Sequence, residues 1–151
     1  MKLVEIMNEL ATHSGMGSVS PDETGSITLL FDNEHEVTFM PEESGNAVFF
    51  QCEIGDASQL GQDGCRSLLE ASFSQTDGAA FSIHHELDKV ILWKRYGEFS
   101  SYAELENAIN DFLGLVVVWK NRLASGDLGS NNASNDPIPL SPLSTINFIH
   151  V

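Results

Sequence analysis

The sequence predicts an α+β fold, an α-β-β-β-α-β-β-α chain whose antiparallel sheet is flanked by helices. Three observations predict it. Apolar residues recur at helical spacing near both ends of the chain, three runs rich in β-branched and aromatic residues follow the first helix at hairpin-sized intervals, and a further helix precedes two more such runs. At 151 residues the chain is long enough for one ordinary core and too short for two.

Leu3, Ile6, Met7 and Leu10 line one side of a short amphipathic helix, with Lys2, Glu5, Asn8 and Glu9 between them and Gly15 and Gly17 ending it. Residues 27–31, 36–40 and 47–54 then read as a meander, joined through 32–34 and 42–46, which hold the turn formers Asp, Asn, Ser and Gly. Ile27, Leu29, Phe31, Val37, Phe39, Val48, Phe50, Cys52 and Ile54 make one strongly apolar face. Leu30, Met40 and Phe49 point the other way, so the second face carries apolar patches that the core need not use.

Residues 63–73 predict the second helix, with Leu68, Leu69 and Phe73 along one side and Asp63 near its start. Residues 80–85 and 90–96 predict a strand pair turning at Asp88. Ser101 and Glu104 form a capping box ahead of a long helix, 101–124, on which Leu105, Ile109, Phe112, Val116, Trp119 and Leu123 make a continuous stripe. A helix of that length spans on the order of 36 Å, enough to cross the domain. The division is therefore a domain over 1–124 and a flexible polar tail over 125–151, rich in Gly, Ser, Asn, Asp and Pro. The tail's last residues turn apolar again at Ile146, Phe148, Ile149 and Val151 and are candidates to dock on the domain or a neighbouring molecule.

Seven Lys and Arg against 22 Asp and Glu give a formal net charge of -15. Such a surface repels phosphate backbones and anionic lipid, which argues against nucleic-acid and membrane partners and favours a polypeptide one. No stretch approaches the roughly 18 consecutive apolar residues of a membrane span, and the opening residues lack a secretion-signal pattern, so a cytoplasmic protein is expected. Cys52 and Cys65 have neither metal-knuckle nor disulfide-framework spacing and read as reduced thiols, Cys52 buried.

The one cluster suggestive of acid–base or metal chemistry is His84, His85, Glu86 and Asp88. Strand alternation sends the two imidazoles to opposite faces, so no metal, no cofactor and no catalytic residue is expected. Glu42, Glu43, Glu104, Glu106 and Asp111 read as solvated charges, and Trp93 and Trp119 as core or interface aromatics.

Residues Leu68-Leu69-Glu70-Ala71-Ser72-Phe73, the apolar run after Gly78, and a last helix holding Phe112-Leu113 and Trp119 complete the picture. With them, residues 1–124 resemble the class I type III secretion chaperones. The pattern departs from that family at Ser72, where Asn is common, and in the tail. The resemblance implies a bacterial cytoplasmic homodimer with no enzymatic activity, which binds the N-terminal segment of a secreted effector and keeps it soluble and secretion-competent. It implies effector contacts at Leu3, Ile6, Met7, Leu10, Leu30, Met40 and Phe49. It implies a dimer interface at Leu68, Leu69, Phe73, Phe81, Ile83 and Leu92. The alternatives are a chaperone-like regulator that sequesters another secretion-system protein, and a small cytosolic ligand-binding domain using the 84–88 region.

Overall fold

A computed structural model describes residues 3–128 and 149–150. It contains α1 (Leu3–His13), β1 (Ile27–Phe31), β2 (His35–Pro41), β3 (Ala47–Asp56), α2 (Gly61–Ser74), β4 (Ala80–His84), β5 (Lys89–Gly97), α3 (Tyr102–Ser125) and β6 (Ile149–His150). The strands form one antiparallel sheet in the order β4-β5-β3-β2-β1-β6. The eight elements expected over residues 1–124 are present in the expected order. β6 is an addition, contributed by a region read as tail; Ile146, Phe148 and Val151 lie outside the described residues.

Local chemistry sets the turns. Asp32 and Asn33 take positive φ values of 53° and 55° between β1 and β2, a backbone that short Asx side chains tolerate, and Phe31 pairs with His35 across them. α3 begins at Ser101, whose Oγ accepts the Glu104 N–H at 3.3 Å. The Glu104 carboxylate reaches back one residue further than a standard capping box, to the N–H and hydroxyl of Ser100 at 2.9 and 2.7 Å. Gly126, with φ 74°, closes the helix in the left-handed conformation that glycine adopts without strain. α2 starts two residues before Asp63, at Gly61, and no side chain caps it.

The apolar strand faces lie inward as the alternation predicts. Phe31, Phe39 and Phe50 are fully buried, and Phe50 is the hub: its ring lies 4.7 Å from Phe39, 4.4 Å from Tyr96 and 5.7 Å from Phe112. α3 lies across this face, α1 packs beside α3 and α2 beside β4, and all three contribute to one buried cluster. Trp119 is fully buried, edge-on to Phe81 at 4.7 Å and beneath the Arg122 guanidinium at 4.6 Å. Among the described residues its indole N–H has no hydrogen-bond partner, so its contribution comes from area and aromatic geometry. The Tyr96 hydroxyl donates to the Ala108 carbonyl at 3.3 Å, tying β5 to α3, and burial raises its pKa.

His35 opens β2 almost fully buried, with its Nδ1 3.0 Å from the Lys120 ammonium of α3, which also donates to the Glu34 carbonyl at 3.2 Å. Burial first and the Lys120 charge second push its pKa below the ordinary 6.5, against opposing pulls from Glu34 and Asp32. Folding thus prefers the neutral ring. Stability is complete above the ordinary imidazole pKa, declines as pH falls through about 6.5, and levels off once the folded form also protonates. A His35→Asn chain is expected to lose less stability than the parent between pH 7.5 and 5.5 in urea titrations. Equal losses in both would exclude His35 as the source.

Candidate partner-binding surfaces

The stripe of α1 is core. Ile6, Met7 and Leu10 are at most 2% exposed and Leu3 is 9% exposed, because α1 lays this face against α3 and into the shared buried cluster. Helical periodicity reports an apolar stripe and not what covers it, so the sequence could not separate a core face from a binding face. Met7 and Leu10 are therefore withdrawn into the domain. Leu3 and Ile6 still reach one opening: with Val4, Pro41, Val48 and Phe99 they line an apolar groove of about 550 Å³.

The groove is built from three loops and a helix end. Gly25 stands on its wall at φ 82°, a conformation held by the Asp22 carboxylate, which accepts the Thr24 and Ser26 N–H groups at 2.8 and 2.9 Å. Those bonds, led by the Thr24 hydroxyl, hold Asp22 below the usual carboxylate pKa. On the opposite wall the β2–β3 hairpin is pinned by Glu42, whose carboxylate takes the Ser44 hydroxyl at 2.6 Å and a fork from Arg95 at 3.1–3.3 Å. Glu42 titrates below its ordinary range, through Ser44 first and Arg95 second.

Leu30, Met40 and Phe49 are half-buried on the sheet face opposite the helices, as the alternation predicts. Met40 and Phe49 are directly paired across β2 and β3, and Phe49 lies 6.1 Å from Trp93 of β5. Trp93, whose indole N–H donates to the Ser82 hydroxyl at 2.8 Å, extends this apolar patch and was not anticipated as part of it. Register carries the signal: strand pairing places Trp93 opposite Gln51, two residues along from Phe49.

The residues expected at a dimer interface divide. Leu68 and Leu92 are 2% and 0% exposed and belong to the core, because Leu68 faces inward from α2 and Leu92 is on the helix-covered side of β5. Phe81 is half-buried against Trp119. Leu69 and Ile83 are exposed, at 70% and 45%, on the neighbouring elements α2 and β4. Leu87, 62% exposed in the β4–β5 turn, joins them and was missed because a single Leu in a turn carries no periodicity. The side chain of Phe73 lies outside the described residues. Ser72, the departure from the family pattern, links α2 to β4: its hydroxyl accepts the Phe81 N–H at 3.3 Å and donates to the Leu68 carbonyl at 3.1 Å.

His84 and His85 do not point apart. β4 ends at His84, the alternation lapses in the turn, and the two rings stack at 6.1 Å with both residues exposed. Among the described residues no group of three His, Cys, Asp or Glu is placed to hold a metal ion. Cys52 and Cys65 are free thiols; burial pushes the Cys52 pKa up to about 11, which leaves it unreactive at neutral pH. Among the described residues no helix is long and apolar enough to cross a membrane.

Among the described residues Arg66 pairs with Glu70, Lys89 with Asp56 and Glu53, Lys94 with Asp77, and Arg95 with Glu42. The surface is left with a large excess of carboxylate, which suits a neutral or basic polypeptide.

The fold recurs among solved structures. A chain in the crystal structure of the ExsC-ExsE complex superposes with a TM-score of 0.68 at 22% identity, over 80% of this chain and 96% of that one. The Yersinia pestis type III secretion chaperone SycH, in complex with a fragment of YscM2, gives a TM-score of 0.60 at 18% identity, over 77% and 98%. The ExoU-SpcU heterodimer of the Pseudomonas aeruginosa type III secretion system gives 0.58 at 16%, over 79% and 95%. No curated protein sequence matches the chain. The Tir chaperone protein family matches residues 5–120, from the first turn of α1 to Lys120 in α3, and so takes in all or most of every element that builds the groove, the open sheet face and the α2–β4 surface. On that match the chain belongs to the Tir chaperone protein (CesT) family.

Proposed function

We propose that this chain is a type III secretion chaperone that works as a cytoplasmic homodimer, holding the N-terminal segment of a secreted effector in extended form. The observation that carries the reading is an open apolar sheet face, Leu30, Met40, Phe49 and Trp93, beside an apolar groove walled by Leu3 and Ile6, in a chain of this family. A nascent effector segment exposes apolar side chains with nowhere to bury them, yet must stay unfolded to pass a narrow channel. Separate apolar seats meet both needs: they cover the side chains singly and leave the backbone extended, or paired to a sheet edge. Holding needs no chemistry, so no catalytic residue or cofactor is invoked.

Two copies of the seats in a symmetric dimer let one segment engage both, the second contact gaining from high effective concentration. Leu69, Ile83 and Leu87 are the exposed apolar residues suited to that dimer contact. Met40 suits a seat that must accept differing side chains, since an unbranched thioether adapts its shape.

The test is a calorimetric titration of the parent and of a Met40→Asp, Phe49→Asp chain with the N-terminal segment of the secreted protein encoded beside it. Both positions are half-buried on a face that no helix covers among the described residues, so the fold is expected to survive. Binding should weaken at least about tenfold, some 1.4 kcal/mol. Unchanged affinity would remove the sheet face from the site.

A further inference from the structure

The open sheet face changes character along its strands. On β2 the side chains of Glu36, Thr38 and Met40 alternate outward, and pairing puts Leu30 opposite Glu36, Thr28 opposite Thr38 and Phe49 opposite Met40. The hairpin end is apolar: Met40 and Phe49 continue into Trp93, and Arg95, opposite Phe49, is matched by its fork to Glu42. The middle is polar and satisfied within itself, the Thr28 and Thr38 hydroxyls bonded to each other at 2.9 Å and the Trp93 N–H held by Ser82.

The far end is acidic. Glu36 is exposed there with no ion-pair partner among the described residues, and one step past the Val37–Cys52 pair the register brings Glu53 of β3 beside it. Glu53 shares the Lys89 ammonium, 3.4 Å away, with Asp56 at 2.6 Å, so three carboxylates meet one cation. The sequence offers no remedy nearby. Residues 3–65, which include α1 and β1 to β3, hold twelve Asp and Glu and no Lys or Arg. β4 has none either, so the face draws its cations from β5, where Lys89 and Arg95 are already matched by carboxylates. A cation brought by a partner meets no competitor at Glu36.

We propose that this face reads a charge pattern in the bound segment: an apolar side chain seated on Met40, Phe49 and Trp93, and a Lys or Arg about four positions away that meets Glu36 and Glu53. The proposal deepens the chaperone reading and rests on it for the identity of the partner; the preference itself belongs to the face. Met40 and Glu36 are four residues apart on one strand, roughly 13 Å, and an extended segment running along β2 repeats its same-side side chains on the same period. Apolar contact supplies the affinity. An exposed ion pair adds little to it, so the carboxylates act chiefly on which segment is accepted and how fast it arrives.

The test uses the full chain, its Glu36→Gln and Glu36→Lys variants, and two designed peptides followed in ¹⁵N spectra: Gly-Ser-Phe-Ser-Thr-Ser-Lys-Ser-Gly, and the same peptide with Glu in place of Lys. Glu36 faces solvent, so both variants are expected to fold, with unchanged circular dichroism as the check. In the parent at low salt, the Lys peptide should shift the amides of residues 36, 49 and 93 at about three- to tenfold lower concentration than the Glu peptide. Glu36→Gln should narrow that ratio and Glu36→Lys should reverse it. Equal action of the two peptides on the parent, a preference that Glu36→Lys leaves unaltered, or no shift at these amides would overturn the proposal. The effector N-terminal segment, titrated separately into the parent, tests the chaperone reading itself. If that segment fails to bind while the peptides discriminate as expected, the reading falls and the preference of the face stands. If it binds while the peptides do not discriminate, the charge preference alone is lost.

Discussion

A Phe50→Ala chain is expected to unfold with a free energy about 3–5 kcal/mol below the parent, the range for truncating a buried aromatic. Phe50 sits on the central strand β3, fully buried, and its ring touches side chains from β2, β5, the β5–α3 connection and α3 through Phe39, Tyr96, Phe99 and Phe112. Deleting it opens a cavity bordered by rigid rings from four directions, so collapse cannot fill it. Against the 5–15 kcal/mol stability of ordinary domains, the loss is a large share of the whole. Urea unfolding followed by circular dichroism should show a lower midpoint with an unchanged slope. A loss below about 1 kcal/mol would mean that the sheet and α3 are not clamped through this residue.

The second large effect is on assembly. With Leu69 and Ile83 exposed on adjacent elements, a chain carrying Leu69→Asp and Ile83→Asp should sediment at 16.5 kDa while the parent sediments at twice that mass. Each substitution sets a carboxylate in an apolar contact, where an unpaired charge costs several kcal/mol, and the two-fold axis doubles the count. Both side chains face solvent in the protomer, so the monomer is expected to keep its secondary structure. A double variant that remains dimeric would move the interface away from α2 and β4. Leu87→Asp provides a graded control, since that residue is exposed at the neighbouring turn.

Much of the fold is legible in the residues because each strand is covered on one face only. That geometry writes a period of two into Ile27-Leu29-Phe31 and Val37-Phe39, and their inward direction follows directly. α3 is legible for the same reason: a long stripe between a capping Ser101 and a closing Gly126 has few other readings. The candidate site is less legible. An apolar stripe looks the same whether a neighbouring helix or a visiting peptide covers it, so Met7 and Leu10 were indistinguishable from contact residues until α3 was seen against them. In α2, Leu68 and Leu69 are adjacent letters with opposite fates, because the 100° step of a helix turns one inward and the other to solvent. β6 is the least legible element. Two residues carry no periodicity, and their pairing with Leu29 and Leu30 is a contact across almost the whole chain. His84 and His85 show the limit of alternation, which holds within a strand and lapses where the strand ends.

The chaperone reading meets its most direct test in light scattering coupled to size exclusion, on the chain alone and co-expressed with the N-terminal segment of the neighbouring secreted protein. A particle of twice 16.5 kDa that gains the mass of one segment and keeps it through the column is the predicted result. A 16.5 kDa monomer that elutes apart from the segment would contradict it.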